Sequence, residues 1–242
     1  MKVLGIIPAR YNSSRFPGKP LIDIGGKSMI QRVYEQAKKC KLLSAVFVAT
    51  DDNRIFSHVK SFGAEVMLTR EHNSGTERCN EVAESLKEKF DVVINIQGDE
   101  PFINPTQITQ VAGLFSDEDT DIATLAKQIK EANVLIDENT VKVVFDENNF
   151  ATNFSRLPIP EPKSFDSENW FVHNKFYKHI GIYAYRSNAL KEICKLEQTK
   201  REKSERLEQL RWLENGYKIK VSITEIESKS VDVPKDIENL SL

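Results

Sequence analysis

The chain has 242 residues, 40% of them hydrophobic, which predicts one large domain, or one domain with a small extra lobe, around a sizeable core. Its formal net charge of -2 argues against a general nucleic-acid binder, which would normally be markedly basic. Three cysteines without metal-ligand spacing argue against a disulfide framework. No segment approaches the roughly 20 apolar residues of a membrane span, and no signal peptide opens the chain, so we expect a cytoplasmic protein.

Apolar runs and amphipathic stretches alternate along the first half of the chain. Buried strands are predicted at residues 2–8, 45–50, 92–96 and 122–126. Helices are predicted at residues 28–39, 52–62 and 75–89, with Ser28 as the N-cap of the first. This rhythm predicts an α/β fold with a doubly wound, mostly parallel sheet.

The alternation becomes less regular after about residue 140. Strands are predicted at 141–145, 151–154 and 177–185, around a polar, proline-rich stretch at 157–174. Helices at 189–197 and 203–214 and a strand at 219–224 follow. We therefore expect a single domain over residues 1–242 that includes a smaller lobe at approximately 141–186, built over the open end of the sheet.

Three cations lie on the loop that follows the first predicted strand. Arg10, Arg15 and Lys19 are spaced along this loop, and its Pro and Gly residues hold it in fixed turns. Because ligands of open α/β sheets bind beyond the carboxyl ends of strands, the loop is predicted to bind a polyanion such as a nucleoside triphosphate. The alternative is a solvated basic loop without a ligand.

A second polar segment, Gln-Gly-Asp-Glu-Pro at residues 97–101, follows the strand predicted at 92–96. Gly98 allows close approach of the backbone to a ligand, and Asp99 is expected at the same sheet edge as the basic loop. A carboxylate beside phosphates favours a divalent cation between them, because Mg²⁺ binds one or two carboxylates together with phosphate oxygens. In the alternative interpretation, Asp99 only caps a turn.

Residues 70–78 form a polar loop that opens a predicted helix. Backbone N–H groups at a helix start can bind an anion or the edge of a base. Ser74, with Glu77 three residues later, also fits an ordinary capping box. The two interpretations are compatible.

Nine segments carry a family resemblance over essentially the whole chain: IIPARYNSSRFPGKPL, VATDD, TREHNSGTERCNEV, VINIQGDEP, NTVKVVFD, FSRLPIP, KHIGIYAYR, LEQLRWLENGYKI and VDVPKDIE. Their order and spacing resemble those of the 3-deoxy-manno-octulosonate (Kdo) cytidylyltransferases of lipopolysaccharide synthesis. The most specific parts are the PGKPL opening, SGTER and QGDEP.

The resemblance implies a nucleotide-diphospho-sugar transferase fold of Rossmann-like type. It also implies an Mg²⁺-dependent enzyme that converts CTP and an eight-carbon keto-acid sugar into CMP-sugar and pyrophosphate, and that forms a homodimer through the smaller lobe. The catalytic triphosphate loop of the family is matched by Arg10, Arg15 and Lys19, and its metal ligands are matched by Asp99, which is also catalytic, and Asp232. Its nucleotide contacts are matched by Arg10, Lys19, Ser74, Arg78 and Gln97. Its sugar contacts are matched by Arg156, His179, Tyr183, Glu208 and Gln209.

The chemistry of these side chains agrees with the roles that the resemblance implies. Arg156 suits the carboxylate of the sugar, because a guanidinium pairs with a carboxylate through two parallel hydrogen bonds. The other four sugar-site residues supply donors and acceptors for hydroxyls. Without the resemblance, the helix with Glu208 would be interpreted as a solvated acidic face, and His179 as a structural histidine. The expected reaction is a direct in-line displacement on the α-phosphorus, without a covalent enzyme intermediate.

Two alternatives remain open. The same chemistry could act on 8-amino-Kdo or on a sialate, which the residues around His179 and Tyr183 would decide. A non-catalytic nucleotide-binding regulator on the same fold would be expected to lack the carboxylates or the phosphate-binding cations. The regulator is the less favoured hypothesis, because all of these groups are present: Asp99, Asp232, Arg15 and Lys19.

Overall fold

The structure is a computed structural model that describes residues 1–12, 16–162, 170–227, 230–231 and 233–238. Two predicted site residues, Arg15 and Asp232, lie outside the described residues. No helix among the described residues has the length and apolar character needed to cross a membrane.

The strands are β1 (Val3–Ala9), β2 (Asp23–Ile24), β3 (Lys27–Ser28), β4 (Leu43–Thr50), β5 (Val66–Leu68), β6 (Val92–Asn95), β7 (Ile122–Ile129), β8 (Lys142–Phe145), β9 (Ala151–Ser155), β10 (Phe176–Arg186) and β11 (Ile219–Ile223). The helices are α1 (Met29–Lys38), α2 (Asn53–Ser61), α3 (Gly75–Ser85), α4 (Pro105–Gly113), α5 (Ala132–Ile136), α6 (Trp170–His173), α7 (Ser187–Ile193), α8 (Lys200–Glu205), α9 (Glu208–Glu214) and α10 (Lys235–Glu238). Short 3₁₀ turns occupy Lys19–Leu21 and Leu114–Ser116.

Nine of these strands form one sheet, in which β11, β7, β10, β6, β1, β4 and β5 lie side by side and β8 and β9 extend from β10. The pairs β6–β1, β1–β4, β4–β5 and β11–β7 are parallel, whereas β10 is antiparallel to β6, β7 and β8. The predicted α/β fold with a mostly parallel sheet is therefore confirmed. β10 belongs to the central sheet although it lies within residues 141–186, and the boundary of the smaller lobe stays a prediction.

The sheet is covered by helices on both faces, which explains why β1 is apolar along its whole length. Val3 and Ile7 pack with α1, α2 and α4 on one face. Leu4 and Ile6 pack with α3, α7 and α9 on the other face. Since successive side chains of a strand point to opposite faces, a strand buried on both sides has no polar positions, as the sequence predicted.

The prediction of a single helix at residues 203–214 is wrong, because the structure has two helices there, α8 and α9. Arg206 lies between them in a left-handed conformation (φ 55°, ψ 46°), and its N–H bonds to the carbonyl of Glu202. A non-glycine residue rarely adopts this conformation, so the residue pattern gives no signal for the break. As a consequence, Glu208 is the first residue of a separate helix.

The chain order changes direction across the sheet between β1 and β6. From β1 it continues to β4 and β5 on one side, and then returns to β6 on the other side. Such a topological switch point opens a crevice at the carboxyl ends of the strands, where open α/β sheets bind ligands. The backbone is closely packed here, because a Cβ added to Gly98 would lie 2.6 Å from the carbonyl oxygen of Pro8.

We predict that Gly98→Ala lowers the free energy of unfolding by about 1–3 kcal/mol, because the new methyl group collides with the fixed backbone of β1. Gly113→Ala is the matched control, since Gly113 ends α4 with φ -65° and has no heavy atom within 4 Å of an added Cβ. That variant should gain up to about 1 kcal/mol. Urea denaturation measures both, and equal stabilities for the two variants would contradict the close approach.

Candidate active site

A lysine and an aspartate meet where β1 and β6 end. The ammonium of Lys19 lies 2.8 Å from Oδ2 of Asp99 and donates a second hydrogen bond to the carbonyl of Val231, also at 2.8 Å. The backbone of Asp99 accepts a hydrogen bond from the N–H of Val231 at 2.9 Å. The structure therefore brings together two predicted site residues that are 80 positions apart in the chain.

The turn at Gly18 returns Lys19 to the sheet edge. The N–H of Gly18 donates to the carbonyl of Tyr11 at 2.9 Å, which closes the loop after β1. Gly18 has φ 72°, a left-handed conformation that glycine adopts without a steric cost. This explains why the PGK segment ends the loop: the turn requires the glycine, and the lysine follows it.

Arg10, the first residue after β1, has no hydrogen-bond or ion-pair partner for its side chain among the described residues. It lines the Arg10 cavity, of about 400 Å³, which is formed by Arg10, Tyr11, Asn12, Asp51, Asp52, Thr69, Glu71 and His72. Partial burial lowers the pKa of Arg10 and repulsion from Arg78 lowers it further, against the attraction of the nearby carboxylates of Asp51, Glu77 and Glu71. A cation that is partly desolvated at a strand end is suited to bind an anion.

Arg78 is completely buried, so its predicted contact with the nucleotide would have to be indirect in this conformation. Its guanidinium bonds to the hydroxyl of Thr69 and lies 3.2 Å from the carboxylate of Asp51. Asp51 and Thr69 follow β4 and β5 and line the Arg10 cavity. Arg78 therefore holds the wall of this cavity in place.

The capping box predicted at the start of α3 is present in a modified form. Ser74 is the N-cap and its hydroxyl accepts from the N–H of Glu77 at 3.1 Å, as predicted. The carboxylate of Glu77, however, accepts from the N–H of Asn73 at 3.0 Å rather than from Ser74. The capping and ligand-binding interpretations stay compatible, because Ser74 also lines a cavity.

Glu208, at the start of α9, connects the predicted sugar residues with the loop at 70–78. Its carboxylate accepts from the hydroxyl of Thr76 at 2.8 Å and from the guanidinium of Arg211 at 2.9 Å. Burial raises its pKa above the ordinary range, against these favourable contacts. Glu208 lines a separate cavity of about 820 Å³ together with Ser74, Glu77 and Arg211.

His179 and Tyr183 lie on the central strand β10. Their rings are tilted against each other with centroids 5.0 Å apart. Burial lowers the pKa of His179 to about 3, so its ring is neutral near pH 7. The hydroxyl of Tyr183 is buried without a hydrogen-bond partner among the described residues, and its pKa is raised by burial.

Gln97 connects this part of β10 to the end of β6. Its amide nitrogen donates to the carbonyl of Gly181 at 2.6 Å. His179 and Gly181 line the β10 cavity, of about 280 Å³, which is formed by Glu100, Asn139, Thr140, Val141, Lys178, His179, Ile180, Gly181 and Glu227. Glu100, the residue that follows Asp99 in the chain, is part of the lining of this cavity.

Arg156 follows β9 and is bound by backbone carbonyls. Its guanidinium donates to Glu205 at 2.9 Å and to Glu138 at 3.0 Å. Glu138 precedes Asn139, which lines the β10 cavity. The pairing of Arg156 with a sugar carboxylate stays a prediction, as does the role of Gln209, which is buried on α9.

Sequence reasoning missed three residues that organise these groups. Asp51 pairs with Arg78, and Thr124 bonds to His179 at 2.9 Å. Lys142 is fully buried and donates to the backbone carbonyls of Asp137, Thr140 and Arg156. Only the VATDD segment, which includes Asp51, contained a usable signal, because it follows a predicted strand.

Comparisons with known proteins show which family this chain resembles over nearly its whole length. The sequence model of the cytidylyltransferase family matches residues 4–221. A 3-deoxy-manno-octulosonate cytidylyltransferase of Parabacteroides distasonis is 53% identical over 243 residues, which cover 98% of this chain and 96% of that protein. An 8-amino-3,8-dideoxy-manno-octulosonate cytidylyltransferase of Shewanella baltica is 47% identical over 98% of this chain and 96% of that protein.

A solved structure is similar over nearly the whole fold. It is a CMP:2-keto-3-deoxy-manno-octonic acid synthetase complexed with CTP, for which the TM-score is 0.92 and the sequence identity is 40%. The alignment covers 99% of this chain and 96% of that chain.

We predict that Arg78→Lys lowers the free energy of unfolding by about 2 kcal/mol, because an ammonium lacks the planar fork that reaches Thr69 and Asp51 together. The control is Arg201→Lys, whose exposed guanidinium bonds to Asn153 at 2.7 Å. That change should alter stability by less than about 0.5 kcal/mol. If chemical denaturation gives the same small loss for both variants, Arg78 does not hold the cavity wall.

Proposed function

The chain belongs to the 3-deoxy-manno-octulosonate cytidylyltransferase family, and on this premise we propose that it transfers CMP from CTP to the anomeric hydroxyl of Kdo and releases pyrophosphate. The product is CMP-Kdo, the activated sugar used in lipopolysaccharide synthesis. Membership rests on relatives that are similar over nearly the full length of this chain.

The observation that carries the proposal is the contact of Lys19 with Asp99 at the β1–β6 switch point, with Arg10 following β1 at the same edge of the sheet. Lys19 is paired to Asp99, whereas Arg10 has no partner among the described residues and lines a cavity. A triphosphate supplies the anion that Arg10 lacks and competes with Asp99 for the ammonium of Lys19. This arrangement supports CTP with its phosphates at the end of β1 and its base toward the loop at 70–78.

The reaction is a substitution at the α-phosphorus. The anomeric oxygen forms the new P–O bond, the bond to the bridging oxygen of the pyrophosphate breaks, and the hydroxyl proton is released to solvent. Catalysis of such a transfer depends on positioning and on neutralising charge. Arg10, Arg15 and Lys19 are assigned to the departing pyrophosphate, and the sugar hydroxyls to residues of β10 and α9.

The residues present fit Mg²⁺ in one respect. Asp99 supplies a carboxylate beside the proposed phosphate site, and Mg²⁺ requires only one or two carboxylates because phosphate oxygens and water complete its shell. No cluster of three or more His, Cys, Asp or Glu side chains that could hold a metal occurs within the described ranges. We assign Asp99 and Asp232 as the protein ligands. When bound, Mg²⁺ neutralises phosphate charge and polarises the α-phosphate.

The acceptor sugar can be identified by comparing the candidate sugars in one assay. Relatives named for Kdo and a relative named for 8-amino-3,8-dideoxy-manno-octulosonate have similar identity to this chain, so 8-amino-Kdo is the second candidate. The test is pyrophosphate release from CTP and Mg²⁺ with Kdo, 8-amino-Kdo or N-acetylneuraminate. Release with Kdo, abolished by EDTA, is expected. Release only with another sugar would identify that sugar, rather than Kdo, as the acceptor. Release with none of the three would overturn the proposed function.

We further propose a homodimer in the cytoplasm, where CTP is available. An apolar groove with Ser155, Leu157, Pro158, Ile159 and Trp170 in its lining supports a second copy of the chain as the occupant. Leu157 is 59% exposed beside this groove, and Val172 of the neighbouring α6 is 67% exposed. Large apolar side chains exposed together are typical of protein interfaces.

The dimer is tested by light scattering after size-exclusion chromatography. Leu157→Asp should shift the protein toward the monomer mass, because a charge would be buried in the interface. Leu42→Asp, at a residue that is 46% exposed between α1 and β4, should leave the mass unchanged. A wild-type protein with the mass of one chain would contradict the dimer.

We predict that Asp99→Ala abolishes measurable turnover while circular dichroism stays normal. Loss of one electrostatic group at a transition state commonly costs about 10²–10³ in rate, and Asp99 is also the proposed metal ligand. Asp119→Ala, at a 71% exposed carboxylate that pairs with Lys218, should retain wild-type turnover. Near-normal turnover of the folded Asp99 variant would overturn the assignment of Asp99.

A further inference from the structure

The pairing of β10 with β7 is interrupted at the level of Thr124. Ile180 pairs with Leu125, whereas the next paired residue of β10, Tyr183, faces Thr124. Gly181 and Ile182 are therefore extra residues on β10, which form a β-bulge. Bulges redirect neighbouring side chains and are often found beside active sites.

The hydroxyl of Thr124 fills this bulge. Thr124 is fully buried, and its Oγ1 lies 2.8 Å from the carbonyl oxygen of Ile182 and 3.1 Å from that of Ile180. The same Oγ1 lies 2.9 Å from Nε2 of His179. Three polar atoms thus converge on one hydroxyl group in the interior.

These contacts determine which ring nitrogen of His179 carries the proton. Carbonyl oxygens only accept, so the single hydroxyl proton of Thr124 must go to Ile180 or Ile182. The hydroxyl oxygen is then an acceptor toward His179, and Nε2 must donate. Nδ1 is left without a proton and has no hydrogen-bond partner among the described residues, so it is an acceptor.

The surroundings of the ring preserve this state. Burial lowers the pKa of His179 to about 3, so the ring is neutral near pH 7 and one tautomer can persist. The ring packs edge-on against Phe154 and tilted against Tyr183, which limits its rotation. His179 also lines the β10 cavity, next to Gly181, whose carbonyl accepts from Gln97.

We propose that Thr124 is a positioning residue that holds His179 in the Nε2–H tautomer, so that Nδ1 accepts a hydrogen bond from a hydroxyl of the acceptor sugar. The sugar contact rests on the proposed function, whereas the tautomer does not. The same bulge presents the carbonyl of Gly181 to Gln97, and it therefore orients groups on both the nucleotide side and the sugar side of the cleft.

The first test is nuclear magnetic resonance of the ligand-free protein with ¹⁵N-labelled histidine. The chain has four histidines, and loss of one signal set in His179→Gln assigns the resonances of His179. Long-range ¹H–¹⁵N spectra should show a protonated Nε2 and an unprotonated Nδ1 in the wild type. An Nδ1–H tautomer in the wild type would overturn the proposal, and this readout needs no substrate.

Three variants then separate the hydroxyl from its surroundings. Thr124→Val removes the hydroxyl with little change in shape and should shift His179 to a mixture of tautomers, whereas Thr124→Ser should keep the wild-type tautomer. Thr120→Val is the matched control, because the Thr120 hydroxyl is buried without a hydrogen-bond partner among the described residues. Retention of the wild-type tautomer in a folded Thr124→Val protein would contradict the role of Thr124.

Kinetics test the contact with the sugar. Thr124→Val should raise KM for the sugar by about tenfold, the loss expected for one hydrogen bond, with KM for CTP unchanged and with rescue by Thr124→Ser. Equal effects on both KM values, or the same loss in Thr120→Val, would indicate a merely structural role and overturn the proposal. If the wild type releases no pyrophosphate with any sugar, the proposed function fails, while the tautomer result still stands.

Discussion

The close approach of the β1 and β6 ends is the constraint on which the rest of the site depends. Gly98 leaves no space for a side chain against the carbonyl of Pro8, so the backbones at the ends of β1 and β6 pack directly against each other. The chain after β1 then carries Arg10 and Lys19, and the chain after β6 carries Asp99. Their charges are therefore placed by the topology of the sheet, and the switch point supplies the crevice.

The antiparallel strand β10 connects the ends of β1 and β6 to the proposed site of the acceptor sugar. It lies next to β6, so its bulge can accept the amide of Gln97 and present His179 to a neighbouring cavity. Lys142, fully buried, binds the carbonyls that bracket the loop at 137–140 and the end of β9. Burial lowers the pKa of Lys142 and so disfavours its charged form, whereas the three carbonyl acceptors stabilise an ammonium that donates to them.

The sequence was sufficient for the features that depend on local pattern. Runs of buried residues predicted the main strands, and the rule that ligands bind at strand ends placed Lys19 and Asp99 together before their contact was known. The sequence was insufficient where contacts between residues far apart in the chain decide the local structure. The break at Arg206 has no glycine to mark it, and the partners of Arg78 and His179 come from other strands. Buried long-range pairs of this kind leave no periodic trace, so only the folded chain reveals that Asp51 pairs with Arg78 and that Thr124 bonds to His179.

The measurement that tests the central claim most directly is a crystal structure of this protein with CTP. The account predicts that the ammonium of Lys19 leaves Oδ2 of Asp99 for an oxygen of the triphosphate, that Arg10 contacts the same phosphates, and that the base lies toward the loop at 70–78. A triphosphate bound elsewhere, such as in the cavity beside Glu208, with the Lys19–Asp99 ion pair intact, would contradict it.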